Sequence, residues 1–228
     1  MTTHPVPPEA SQLPATVWLA SRSPRRKELL QTLGIDVRVF LAQNSPEAEA
    51  LETPLPHENP LHYVERVTHL KLHAACKAMQ TQQRTGIVLA ADTTVALGPL
   101  ILGKPSTADE ARHMLRSLSA TQHQVHTCIA TAALHPLADS NPSNAYTLTH
   151  TSDVHFDPIP DGFIQAYIDS GEPFDKAGAY GIQGVIAQYI RHISGSHSGI
   201  MGLPLFETSQ LLRQTQARTS STFTHSNP

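Results

Sequence analysis

The sequence predicts an α/β fold in which a mixed β-sheet carries flanking helices. Segments with strand-type alternation or short buried apolar runs take turns with segments of helical spacing, the pattern of strands connected through helices. In the middle of the chain two strand-like segments follow one another with no helix between them, which calls for antiparallel neighbours and makes the sheet mixed. With 228 residues the chain can bury ~70% of its unfolded surface and needs no covalent staples.

Each element has a local reason. Residues 16–20 read as a strand. Residues 24–33 read as a helix, with Ser23 as N-cap, Pro24 at the first helical position and Gly34 closing it. Residues 36–40 return to strand character. Residues 61–79 place Val64, Val67, Leu70 and Ala74 at helical spacing, and residues 87–97 form an apolar run of buried-strand type. A helix over 107–118 puts Ala111, Met114, Leu115 and Leu118 on one side. Residues 124–134 and 146–156 read as strands, 161–168 as a short helix, 188–193 as a strand and 205–212 as the last helix. Residues 1–15 are proline-rich (Pro5, Pro7, Pro8, Pro14) and residues 213–228 are polar and Ser/Thr-rich, so both read as disordered. One folded domain over 16–212 remains, with residues 135–144 as a long surface loop.

Lys and Arg number 16 against 19 Asp and Glu, a net charge of −3. That argues against a nucleic-acid or membrane binder held by bulk charge. Cys76 and Cys128 show no metal-ligand spacing and are too few for a disulfide framework, as expected of a reducing, cytoplasmic compartment. No apolar run approaches the ~18 residues of a membrane span. The first basic residue is Arg22, so a secretory signal with a basic start is not expected.

Four segments could carry chemistry. In Ser21-Arg22-Ser23-Pro24-Arg25-Arg26, two arginines fall in a helix's first turn, where the macrodipole disfavours cations. The two guanidinium forks and free backbone N–H groups there would seat a di- or triphosphate; a solvated basic turn paired with acids is the plainer alternative. Asp92 stands inside the apolar run Ala90-Ala91-Asp92-Thr93-Thr94-Val95, where a charge is costly unless paired. It marks either a bend leaving the sheet or a working site. Gly98-x4-Gly103-Lys104-Pro105 is not a P-loop, because Pro105 replaces the required Ser or Thr and blocks the helix. Lys104 can still meet a phosphate as a point charge from a hairpin-like turn. In Glu172-Pro173-Phe174-Asp175-Lys176-Ala177-Gly178-Ala179-Tyr180-Gly181-Ile182-Gln183-Gly184, glycines recur at every third position, as suits backbone approaching a ligand. The Gln183 amide both donates and accepts, as reading a base edge requires.

In order and spacing, these segments resemble the Maf family of nucleoside triphosphate pyrophosphatases. The matching pieces are Leu19–Arg26 with Glu28-Leu29-Leu30, Arg66 and Lys71, Ala91-Asp92-Thr93, Gly103-Lys104-Pro105, the run from Asp175 to Gly184, Gly195-Ser196, and Gly202-Leu203-Pro204-Leu205-Phe206-Glu207-Thr208. The resemblance implies hydrolysis between the α- and β-phosphates of a nucleoside triphosphate, an elongated two-lobed fold around a deep cleft, a homodimer, and a divalent cation (Mg²⁺ or Mn²⁺). It puts Asp92 on the catalytic position and Glu52 with Asp92 on the metal. Ser21 and Ser23 fall to the substrate, Arg25, Arg26, Lys71, Lys104 and Lys176 to its phosphates, and Arg25, Thr93 and Gln183 to positions tied to substrate choice, the last two facing the base or sugar. The run Ala177–Gly184 resembles the branch acting on dTTP and UTP.

Two departures from the family pattern stand out. An expected Asp-Glu pair reads Leu51-Glu52, and a Leu-Ser-Gly-Arg/Lys turn reads Leu118-Ser119-Ala120-Thr121. The first makes a catalytically weak nucleotide-binding regulator of septum formation and division the alternative function.

Overall fold

The computed structural model describes residues 12–42, 53–134 and 145–224. The elements run β1 (Thr16–Leu19), α1 (Pro24–Gln31), β2 (Asp36–Val39), α2 (Pro60–Thr81), β3 (Gly86–Leu97), β4 (Leu100–Leu102), α3 (Ala108–Leu118), β5 (Gln122–Leu134), β6 (Tyr146–Phe156), α4 (Asp161–Asp169), β7 (Ile190–Ser194), α5 (His197–Ile200) and α6 (Leu205–Thr224). The glycine-rich stretch between α4 and β7 is built from three short 3₁₀ turns. No described helix is long and apolar enough to cross a membrane.

All strands join one seven-stranded sheet in the order β2-β1-β3-β5-β6-β7, with β4 paired to β3 off that path. β1 is parallel to β2 and β3, and the remaining pairs are antiparallel, so the sheet is mixed as predicted. On one edge of β3, β1 pairs with residues 87–89 and β4 with residues 95–97. Residues 90–94 therefore have β5 on one side and no described strand on the other. Asp92 and Thr93 stand in that gap.

Strand alternation sends their side chains to opposite faces. Val88 and Ala90 share the face of Asp92 and pack with Leu72, Ala75, Cys76 and Met79 of α2. On the face of Thr93, Leu89 and Ala91 pack with Leu29 and Leu30 of α1 and with Leu211 and Leu212 of α6. Further along the same face, Val95 belongs to a second cluster with Leu115 of α3 and Ile164 and Tyr167 of α4. The polar pair Thr93 and Thr127, facing each other across β3 and β5, separates these two apolar clusters.

The predicted tail beginning at 213 is corrected: α6 continues to Thr224. Leu211, Leu212 and Thr215 are buried against the sheet. The Thr215 hydroxyl donates to Leu211 O at 2.8 Å, which leaves Thr131 to donate to Thr215 Oγ1 at 2.7 Å. Those internally satisfied hydroxyls let a Ser/Thr-rich segment pack, and hydrophobic periodicity does not register them. Residues 1–11, 135–144 and 225–228, which carry most of the predicted lead, the predicted loop and the end of the tail, lie outside the described residues.

Candidate active site

The β1–α1 loop folds on its own serines. Ser21 Oγ accepts from Ser23 N at 3.2 Å, and Ser23 caps α1 by accepting from Arg26 N at 3.4 Å. Lys27 N is taken by Ser23 O and Pro24 has no N–H. The sequence predicts several free amides here. Among the described residues, Arg25 N–H is the first-turn amide left for a ligand.

The two arginines divide their work. Arg26 turns inward: its Nε donates to Gly202 O at 2.8 Å, Nη1 to Ser21 Oγ at 3.2 Å and Nη2 to Thr93 Oγ1 at 3.0 Å. Arg25 turns the other way and donates to Asp175 Oδ2 at 3.2 Å, with about a third of its side chain exposed. Arg25 is thus held by one exposed carboxylate, while Arg26 spans three loops.

Proton counting fixes the direction of the bonds behind Arg26. Thr127 Oγ1 gives its proton to Gly199 O at 2.8 Å, so in the 2.9 Å contact with Thr93 it must accept. The relay runs Arg26 to Thr93 to Thr127 to Gly199. Gly199 and Gly202 lie on the turn around α5, whose Ser196 N–H donates to His150 Nε2 at 3.1 Å, while His150 Nδ1 faces Glu207 Oε1 at 2.7 Å. The Thr93 hydroxyl is occupied on both sides, so its side chain holds the frame instead of reading a base.

On the opposite face, Asp92 Oδ1 accepts from Lys71 Nζ at 2.6 Å, with side chains only 13% and 24% exposed. α2 delivers Lys71 to this spot because Val64, Val67, Thr68 and Leu72 are buried around it. Arg66, one α-helical turn and a residue before Lys71, grips Glu58 at 2.6 and 2.7 Å and Thr53 O at 3.1 Å. The Arg66 hydrogen bonds hold the Glu58 carboxyl below the usual range despite partial burial. Asn59, capping α2, and Glu58 thereby fix the chain segment that follows Glu52. Glu52 and Leu51 themselves lie outside the described residues.

The glycine-rich segment joins the site through charge and backbone. Asp175 accepts from both Arg25 and Lys176 Nζ. Burial would raise the Asp175 carboxyl, but the Lys176 and Arg25 cations outweigh it and hold it low. Lys176 also donates to Glu172 O at 2.7 Å, so this lysine is tied into its own loop. Gly178 N–H donates to Gly103 O at 3.0 Å, which sets the segment beside Lys104. Gly178, at φ +67, admits no side chain because Val95 lies 2.9 Å from where a Cβ would stand. Lys104 and Gln183 are exposed and engage none of the described residues.

A family model described as Maf-like protein matches residues 16–215. The chain belongs to the Maf family. A relative named dTTP/UTP pyrophosphatase from Ralstonia nicotianae is 48% identical over 199 residues, covering 87% of this chain and 93% of its own length. One of the same name from Cupriavidus metallidurans is 47% identical over 202 residues, covering 87% and 96%. A third, from Nitrosomonas europaea, is 46% identical over 202 residues, covering 87% and 94%.

The resemblance noted in the sequence carries the expectation of a divalent cation. Among the described residues, no three His, Cys, Asp or Glu side chains gather as a metal-binding group. Asp92 nevertheless has one oxygen on Lys71 and the other unengaged by the described residues. Mg²⁺ typically takes one or two carboxylates together with substrate phosphates, so this donor fits a cation that arrives with a polyphosphate. Sequence reasoning did not single out Thr127 or His150, whose places depend on strand pairing, and gave Asp175 no role of its own. Only Asp175 left a signal, as the acidic neighbour of Lys176.

Proposed function

We propose that this Maf protein hydrolyses dTTP and UTP between the α- and β-phosphates, releasing pyrophosphate and the nucleoside monophosphate. The carrying observation is that relatives sharing 46–48% of its residues across most of its length bear the name dTTP/UTP pyrophosphatase. The geometry around Asp92 suits that chemistry.

In this reading Asp92 orients the attacking water. Lys71 fixes one carboxylate oxygen, and the other is left for that water, as positioning catalysis requires. Arg25 and Lys104 meet the phosphates; Arg25 exchanges its Asp175 contact for substrate. Arg26, Ser21 and Ser23 keep the β1–α1 loop and the Arg25 N–H in place. Gln183 pairs its amide with a ring carbonyl and the neighbouring ring N–H of thymine or uracil. A divalent cation, held by Asp92 and by Glu52, would neutralise charge on the triphosphate and improve the pyrophosphate leaving group. The protein is further proposed to act in the cytoplasm as a homodimer on free nucleotides, a state that light scattering after size exclusion reads directly.

The test is pyrophosphate release from dTTP, UTP, CTP and GTP with Mg²⁺ or Mn²⁺ and with EDTA. Metal-dependent turnover favouring dTTP and UTP is expected, and Asp92→Asn should lose at least about a hundredfold in kcat while melting like the wild type. Turnover by a well-folded Asp92→Asn would refute the assignment of Asp92.

A further inference from the structure

The Gln183 amide engages none of the described residues, so its orientation must come through the backbone that carries it. The turn over residues 181–184 is closed by Gly184 N–H on Gly181 O at 2.9 Å. Side chains from the preceding segment run directly beneath it. The Glu172 carboxylate occupies the space a Cβ on Gly184 would need, and Lys176 Cε lies 2.7 Å from the position of a Cβ on Gly181. Between these two glycines and the core stands the Tyr167 hydroxyl. It accepts from Gly181 N–H at 3.3 Å and donates to Glu172 Oε1 at 2.9 Å. The Tyr167 ring is 2% exposed and stacked on Phe163, so the hydroxyl is held from within α4 and the core.

We infer that Tyr167 and Glu172 are positioning residues for base selectivity, gripping the 181–184 turn from below so that the Gln183 amide is held in one orientation. The inference rests on the nucleotide reading above and names the residues through which Gln183 would act. Two glycines are needed here for a reason separate from chain flexibility: each leaves room for a side chain that belongs to the grip. The grip also reaches the phosphate end, because Lys176 bridges Glu172 O and Asp175, and Asp175 holds Arg25. Base and phosphate contacts thus share one rigid backbone. A loosened turn would let the Gln183 amide meet other base edges and would shift the base relative to the phosphates. Asp92 and Lys71 belong to different elements, so binding and selectivity should suffer before the chemical step does.

The decisive variant is Tyr167→Phe, which deletes the hydroxyl and keeps the stacked ring. Binding of the α,β-methylene analogues of UTP and GTP is measured by calorimetry, and steady-state turnover of UTP and GTP by pyrophosphate release. Tyr180→Phe is the control, since it removes a buried hydroxyl that meets His123 Nε2 at 2.8 Å and takes no part in the grip. Tyr167→Phe should lower the UTP-to-GTP preference about fivefold or more, the scale of one net hydrogen bond. The loss should fall on Kd and KM, with kcat for UTP within about twofold. Tyr180→Phe should keep the wild-type preference. Glu172→Ala should behave like Tyr167→Phe, whereas Glu172→Gln, whose amide oxygen can still accept from the tyrosine, should restore the preference. A folded Tyr167→Phe with wild-type preference overturns the inference, as does an equal loss in Tyr180→Phe. If Tyr167→Phe does not fold, the Glu172 pair decides: equal behaviour of alanine and glutamine overturns it. Wild-type turnover of UTP with an unchanged Tyr167→Phe leaves the proposed activity standing and removes only the inference. A wild type that neither binds nor cleaves these nucleotides removes both.

Discussion

Thr127→Val tests the frame that holds Arg26. Valine has nearly the shape of threonine, so the substitution opens no cavity and removes only the hydroxyl. Thr127 is 1% exposed, so water cannot replace what is lost. Two hydrogen bonds go: the one Thr127 donates to Gly199 O and the one it accepts from Thr93. Gly199 O keeps the Gly202 N–H at 2.9 Å, whereas the Thr93 proton loses its acceptor. At ~0.5–1.5 kcal/mol net for each bond, the fold should lose about 1–3 kcal/mol. For a chain of this size each kcal/mol lowers Tm by roughly 2–4 °C. Because Arg26 Nη2 rests on Thr93, the β1–α1 loop should loosen as well and raise KM for the triphosphate several-fold. Urea unfolding gives the first quantity and initial rates give the second. Thr127→Ser is the companion, since it keeps the hydroxyl and deletes a methyl, losing about 1 kcal/mol by cavity formation with KM unchanged. A valine variant as stable as the wild type, or a serine variant with the valine kinetics, would refute the relay.

Three other outcomes follow from single features. Ala120 adopts φ +55, a left-handed conformation that strains an L side chain by ~1–2 kcal/mol. Ala120→Gly relieves that strain but regains unfolded-state entropy, so a net stabilisation of up to about 1 kcal/mol should appear as a higher urea midpoint. Burial, with some help from His155, pushes His123 down to about 4 from an unfolded value near 6.5. The unfolded chain therefore binds the proton first, and stability contributed by neutral His123 is lost as pH falls from about 6.5 towards 4. That amounts to about 2 kcal/mol between pH 7 and pH 5, and His123→Gln should flatten this part of the pH dependence in urea melts. Arg25→Ala breaks a half-exposed ion pair worth little to the fold, so Tm should stay within about 2 °C while KM for the triphosphate rises about tenfold.

The candidate site was read from residues that break a local rule. Asp92 interrupts an apolar strand, and the paired arginines oppose the dipole of α1; the structure places both in the same neighbourhood of the sheet. Apart from the end of α6, element boundaries followed within a few residues, as with Ser23 capping α1 and Gly34 past it. What stayed hidden depends on register and on distance along the chain. Thr127 looks like any β-strand threonine until antiparallel pairing sets it opposite Thr93. Tyr167 reads as an ordinary core position on α4, because periodicity reports the buried ring and says nothing of where the hydroxyl ends. The split between Arg25 and Arg26 was equally hidden, since adjacent helical residues diverge by about 100° and their targets lie 150 and 176 residues away.

The gap in β3 explains why so few residues can serve this site. A strand paired on both sides would bury Asp92 against a neighbour and leave no approach for a ligand. Here β1 pairs with β3 only as far as Leu89 and β4 begins only opposite Val95, so residues 90–94 keep the rigidity of the β5 ladder along one edge alone. Alternation then gives the two central positions different duties. Asp92 faces α2 and receives Lys71, while Thr93 faces α1 and anchors Arg26 through hydroxyls that are already spent. One strand thus sets the height of the Asp92 carboxylate and of the arginine-bearing loop together. Exchanging the two residues, Asp92→Thr with Thr93→Asp, should abolish turnover although composition is unchanged, because each side chain would arrive on the wrong face.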